Sequence, residues 1–259
     1  MKRSAKKTSS GGKIVGLFVA LLAVVVVVAG FLFFNPFGGK ASNTAKKTNG
    51  SSTSASSQTV KYEPSQEEKD YLKNRFEQLT AVNPETIAYV YAPGTQLDEP
   101  VVQTGDNATY LDKAFDGGYQ PYLGTVFMDT DNKKNFSDRL TWLFGHARGS
   151  KVADHRMFND VNFYDKQEFF DQHPYVVIET PERKYYYEAM CLVIVPETTA
   201  FYRTSFKDDK DFTTQLKKVY EDGQTKNPNI KIKASDKYLV LSTCREEDET
   251  IRSNLYLRQ

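Results

Sequence analysis

What the chain lacks narrows its function first. Two cysteines in 259 residues cannot build a disulfide-dense scaffold or the four-ligand array of a zinc ribbon. Neither His-Glu-x-x-His nor Cys-x-x-Cys occurs, so no metal or other cofactor is expected. No fixed-period repeat appears, which removes solenoids and propellers. The first sixty residues hold no acidic residue, yet eight of the 34 basic ones. The remaining 199 therefore carry 26 basic and 33 acidic residues, a net charge near −7. A mildly acidic globule offers phosphates no basic face, so a nucleic-acid partner is not expected. The 16 Tyr and 17 Phe argue against disorder and for one substantial core.

The leader is organised by hydropathy. Residues 14–34 carry no charge and no proline, and 21 residues at ~1.5 Å rise span roughly 31 Å, the thickness of a bilayer core. Five basic residues precede the run, so the positive-inside rule sets the N-terminus in the cytoplasm and the rest of the chain outside. The run is long for the apolar region of a signal peptide and no small-x-small cleavage site follows it, so an uncleaved anchor is expected. The reading is a cytoplasmic basic tail at 1–13, a transmembrane anchor at 14–34 and a flexible Ser/Thr/Lys-rich tether at 35–60. An extracellular domain then occupies 61–259.

In that domain, Pro64-Ser65 ahead of QEEKDYLKNRFEQL reads as a helix capped by Ser65, with Tyr71, Leu72, Phe76 and Leu79 at helical spacing. Eight short β-rich runs follow, at 85–92, 99–104, 124–130, 140–146, 175–180, 184–195, 237–244 and 250–257. Helical interruptions are expected at 108–115, 157–170 and 208–220. The pattern is mainly β with helices (α+β), and a closed or nearly closed eight-stranded β-barrel suits it better than a doubly wound sheet.

Two strands end on residues able to do covalent chemistry. Cys244 closes Tyr238-Leu239-Val240-Leu241-Ser242-Thr243 and opens onto the charged Arg245-Glu246-Glu247-Asp248-Glu249. It is either a thiol placed to meet a substrate or a small core residue ending a strand. His146 ends Leu140-Thr141-Trp142-Leu143-Phe144-Gly145 in the same way, and together they form a candidate Cys–His pair. His155, between Asp154 and Arg156, reads as a solvated surface residue, and His173, before Pro174, as a turn or packing residue. Cys191, apolar on both sides, reads as core filler. A Cys191–Cys244 disulfide would need closely matched Cβ positions, which two strand cysteines rarely have. Arg252 lies on the strand after Cys244, where a guanidinium could hold a carbonyl or a developing oxyanion; Arg245, nearer in sequence, competes for that role.

A strand-ending Leu-x-Thr-Cys, an arginine on the next strand and an upstream Gly-His together resemble the sortases, membrane-anchored cysteine transpeptidases of Gram-positive bacteria. The resemblance covers nearly all of 65–259. It is nearest to class B, through Pro100-Val101-Val102-Gln103, Asp106-Asn107, Tyr110-Leu111, Gly124-Thr125-Val126-Phe127-Met128-Asp129, Met157-Phe158-Asn159-Asp160 and His173-Pro174, in that order. It implies Cys244 as nucleophile, His146 as acid/base and Arg252 as oxyanion or substrate-orienting group, with Ser242 and Thr243 lining the substrate groove. It implies cleavage of a C-terminal sorting motif at Thr, a thioester on Cys244 and transfer to an amine. The partners would be surface proteins or pilins carrying a C-terminal sorting signal, with the amine coming from a cell-wall cross-bridge or its lipid-linked precursor, or from a pilin lysine. Many class B members carry Asn directly after the histidine, where this chain has Ala147-Arg148, which bears on substrate preference. A hydrolytic cysteine peptidase, using water as acceptor, and a non-catalytic surface-binding barrel with an unreactive Cys244 are the rival accounts.

Overall fold

The computed structural model describes residues 62–147, 156–199, 201–245 and 248–259, all inside one compact unit, Val60–Gln259. The expected tail, anchor and tether lie outside the described residues, as does His155. Among the described residues no helix is long and apolar enough to cross a membrane.

Helix α1 (Gln66–Val82) begins where expected. Ser65 Oγ accepts the Glu68 N–H at 3.1 Å, and Glu67 and Glu68 occupy the first turn, where a carboxylate suits the positive end of the helix dipole. Leu72 and Phe76, four apart and so on one face, are its buried residues. Arg75 extends from the helix to the buried Glu179, which also pairs with Lys184 at 2.8 Å.

The eight anticipated runs are strands β1 (Thr86–Tyr91), β2 (Asp98–Val102), β3 (Val126–Met128), β4 (Leu140–Phe144), β5 (Tyr175–Glu179), β6 (Lys184–Pro196), β8 (Tyr238–Cys244) and β9 (Ile251–Arg258). They pair in the order β5-β1-β2-β3-β4-β8-β9-β6, and β6 pairs back onto β5. The result is a closed eight-stranded barrel, which leaves no long edge among these strands to template aggregation. A ninth strand, β7 (Thr225–Lys226), attaches to β6 at Cys191 and Leu192, beyond the stretch that pairs with β5. Two residues leave no periodic signal, so sequence reading passed it by.

Two of the three expected interruptions depart from a single full-length helix. The interruption at 108–115 holds only α2 (Thr109–Asp112), because Asp106 Oδ1 captures the Ala108 and Thr109 N–H groups in a tight turn. The expected helix at 157–170 is instead a 3-10 helix, Asn159–Asp165, and α3, Gln167–Gln172, separated by an extended Lys166. His173 packs its ring on Phe169 and approaches the Pro93 carbonyl through Nδ1 at 3.1 Å, the packing role read for it.

Alternation along the strands builds two cores. Leu239 and Leu241 on β8 and Leu255 and Leu257 on β9 fill the barrel interior. Tyr238, Val240 and Tyr256, with Trp142 of β4, form a second cluster on the outer face. That cluster is covered by α4 (Asp209–Glu221), whose Phe212, Leu216 and Val219 are fully buried at i, i+4, i+7 spacing. Each such side chain contributes ~1.5–3 kcal/mol of burial. Asp208 caps α4 by accepting the Asp211 N–H at 2.8 Å.

Gly124, between α2 and β3, has φ +55°, and a Cβ there would lie 2.3 Å from the Tyr110 carbonyl oxygen and 2.5 Å from that of Leu111. Gly124→Ala is expected to cost on the order of 3 kcal/mol through strain and displaced backbone, a Tm loss of roughly 6–12 °C for a domain this size. Gly105→Ala, with nothing within 4 Å of its added Cβ, should stay within about 0.5 kcal/mol. Thermal melts of the two variants test this.

Candidate active site

The outer face of β8 and β9 changes character along its length. Under α4 it is apolar; toward the end of β8 and the start of β9 the same parity places Ser242, Cys244, Arg252 and Asn254 on the outer face, with Cys244 and Arg252 half-buried and Ser242 and Asn254 buried. Antiparallel register sets Cys244 opposite Arg252 and Ser242 opposite Asn254, which places opposed α-carbons about 4.5–5.5 Å apart. Strand β4 runs parallel to β8 with Phe144 beside Ser242, and Gly145 N–H donates to the Ser242 carbonyl at 3.2 Å. His146 therefore leaves the sheet next to the cysteine strand.

The Gly-His step has a steric cause. A Cβ on Gly145 would sit 2.9 Å from the Phe158 ring and 3.1 Å from Val126. Only glycine lets Phe158 approach this closely, and the Phe158 N–H donates to the His146 carbonyl at 2.9 Å. The His146 Nε2 lies 2.7 Å from the Leu111 carbonyl oxygen. A carbonyl can only accept, so Nε2 carries the proton and Nδ1 is the atom left to take or return one.

These groups meet in one cavity of about 340 Å³, whose wall includes His146, Cys244, Arg252, Ser242, Leu111 and Tyr202. The fold thus brings together the three candidates Cys244, His146 and Arg252. Thr243 also belongs to the wall, yet it shares the inward parity of Leu239 and Leu241 and is 3% exposed; Ser242 has the outward parity. Position relative to the cavity separates the two arginines. Arg245 binds Asp165 at 3.1 Å, whereas Arg252 lines the cavity.

Arg252 is held by its own partners. Nη2 contacts Glu197 Oε2 at 2.5 Å and Nη1 donates to the Glu249 carbonyl. The Cys244 thiol is pushed above the ordinary cysteine range by burial. Arg252 opposes that shift, and the negative charges of Glu249 and Glu197 reinforce it. Cys191 differs: it is fully buried on β6 opposite Tyr256, and burial drives its thiol far up. Both thiols are free, so no disulfide joins them. Among the described residues no three His, Cys, Asp or Glu side chains form a metal-binding group.

Tyr202, Asn107 and the Leu111 carbonyl were not singled out as site residues. Tyr202 and Asn107 come from the β6–α4 and β2–α2 connections and Leu111 from the one-turn helix α2, where neither periodicity nor motif marks which group turns toward the cavity. The only hint was the run Asp106-Asn107 with Tyr110-Leu111, noted for its resemblance alone.

No protein-family model matches the chain. Among curated proteins it is similar to sortase B of Staphylococcus aureus, with 26% identity over 177 residues, covering 68% of this chain and 70% of that protein. Sortase B of Listeria monocytogenes shares 26% over 189 residues, covering 72% and 74% respectively. The solved Staphylococcus aureus sortase B–substrate complex superposes with a TM-score of 0.65 at 26% identity, over 72% of this chain and 84% of that one.

The charges around Cys244 make its reactivity directional. Because the thiolate is the alkylating species, Arg252→Gln should move the pH midpoint of Cys244 iodoacetamide alkylation upward. Glu197→Gln should move it downward. Rates measured across pH on the two variants and the parent check both signs.

Proposed function

We infer from this kinship, which makes the chain a class B sortase by sequence and fold, that it cleaves a C-terminal sorting motif at threonine and transfers the acyl fragment to an amine. The observation that carries the reading is the convergence of Cys244, Arg252 and His146 on one cavity. The substrate complex of the Staphylococcus aureus relative supports a sorting-signal substrate here.

The steps follow from the groups in place. The Cys244 proton passes to His146 Nδ1, and the thiolate attacks the threonine carbonyl carbon. Arg252, opposite in the ladder, stabilises the oxyanion. As the tetrahedral intermediate collapses, the C–N bond breaks and His146 protonates the departing amine, leaving a thioester. An acceptor amine then attacks the thioester, His146 takes its proton, and Cys244 is released. The acceptor belongs to a cell-wall cross-bridge, so the product is a surface protein fixed to the wall. The apolar run at 14–34 anchors the enzyme in the membrane with residues 61–259 outside, where both substrates are found.

The test incubates the full chain in detergent with Asn-Pro-x-Thr and Leu-Pro-x-Thr type peptides, with or without oligoglycine or a lysine peptide, read by mass spectrometry. An acyl-enzyme adduct and amine-dependent ligation are expected. Both should fall at least about 10³-fold in Cys244→Ala and about 10²–10³-fold in Arg252→Ala. Ligation only to the lysine peptide would assign the enzyme to pilin assembly. Cleavage with no ligation to either amine would make it a peptidase, and an inert, unalkylated Cys244 would make it a binding module.

A further inference from the structure

The cavity before Cys244 has two walls that share no strand. Asn107 comes from the β2–α2 connection and Tyr202 from the β6–α4 connection, 95 residues later, and both face the cavity. Between them lies Asp129, just after β3 and fully buried. Its Oδ2 accepts from Asn107 Nδ2 at 3.1 Å and from the Tyr202 hydroxyl. Its Oδ1 accepts the Asp131 N–H at 2.8 Å.

The backbone that carries the carboxylate is hydrogen-bonded on both sides. Its N–H donates to the Trp142 carbonyl at 3.0 Å, and its carbonyl accepts from Gln103 Nε2 at 2.7 Å. Asn107 cannot turn its amide over, because its Oδ1 already accepts the Thr130 N–H at 2.9 Å. The Tyr202 ring stands edge-on to Trp142 at 5.2 Å and to Phe144 at 6.0 Å. Ring packing sets where Tyr202 lies, and the hydroxyl sets how far it leans across the cavity.

We propose that Asp129 is a positioning residue for the transpeptidation, a buried carboxylate that braces Tyr202 and Asn107 and so sets the width of the substrate cleft in front of Cys244. The role rests on the transpeptidase reading for its consequence in catalysis, and on geometry alone for its mechanical part. The two oxygens of a carboxylate can accept from all three donors at once. An amide there has one acceptor oxygen and brings an N–H₂ against a donor already fixed. Asp129→Asn therefore cannot keep all three bonds, and it weakens the brace while keeping volume and shape.

The chain supplies its own reporter. Trp142 is the single tryptophan, is 1% exposed, and donates Nε1–H to the Arg203 carbonyl beside Tyr202. Loosening the β6–α4 connection must expose it. Full-length wild type, Asp129→Asn, Tyr202→Phe and the double variant are compared by steady-state kinetics with the sorting peptide and by acrylamide quenching of Trp142. Asp129→Asn is expected to raise KM about tenfold, the worth of one to two buried hydrogen bonds, with kcat within about threefold. It should also increase quenching at unchanged Cys244 alkylation. Tyr202→Phe should do the same in part, and the double variant should add little to Asp129→Asn, since both remove one linkage.

Should Asp129→Asn fail to fold, Tyr202→Phe carries the test through its own KM and quenching. Unchanged KM and quenching in the folded variants would overturn the brace, as would a fall in kcat and Tm with KM held. Raised quenching in a chain whose wild type ligates no peptide would keep the brace and overturn the transpeptidase reading.

Discussion

The antiparallel pairing of β8 with β9 is the constraint on which the site depends. A strand reverses its side chains at every residue, so the register that buries Leu239, Leu241, Leu255 and Leu257 inside the barrel necessarily turns Ser242, Cys244, Arg252 and Asn254 outward. A slip of one residue would bury the thiol and the guanidinium and expose four leucines. The hydrophobic effect acting on the barrel core is thus what aims the chemical groups.

Helix α4 divides that outer face into a structural part and a reactive part. Where Phe212, Leu216 and Val219 cover it, the strands present Tyr238, Val240, Tyr256 and Trp142. Beyond the helix the same face is polar and open, and Gly145 delivers His146 to it because a larger residue would collide with Phe158. The candidate catalytic groups sit at strand ends of a closed barrel, whereas the cavity walls beside them are connections held by side-chain hydrogen bonds.

The electrostatics of the site are balanced rather than one-sided. Burial and two glutamates favour the protonated Cys244, and Arg252 opposes them while bound to one of those glutamates. A substrate carbonyl that drew the guanidinium from Glu197 would bring it toward the developing charge. The free enzyme keeps its thiol protected at the same time.

The eight barrel strands were legible because β-branched and aromatic alternation is a local property of each run, and α1 and α4 because their apolar spacing and caps are local too. The two-residue β7, the break at Lys166 and the shortened α2 were not, since each arises from a partner distant in sequence or from a side chain capturing backbone donors. Cys244 and His146 stood out as strand-ending groups. That Arg252 and not Arg245 lines the cavity needed the fold, which turns Arg245 to Asp165, 80 residues away in sequence. Thr243, placed beside Ser242 by resemblance, also lines the cavity, although strand parity turns it inward. By itself the sequence determined the barrel, its helices and the residue types able to form an acyl-enzyme, because these follow from short-range periodicity and side-chain chemistry. Only the tertiary structure decided which loops wall the cleft and that a buried Asp129 joins them, because loop side chains are oriented by long-range contacts that no local pattern encodes.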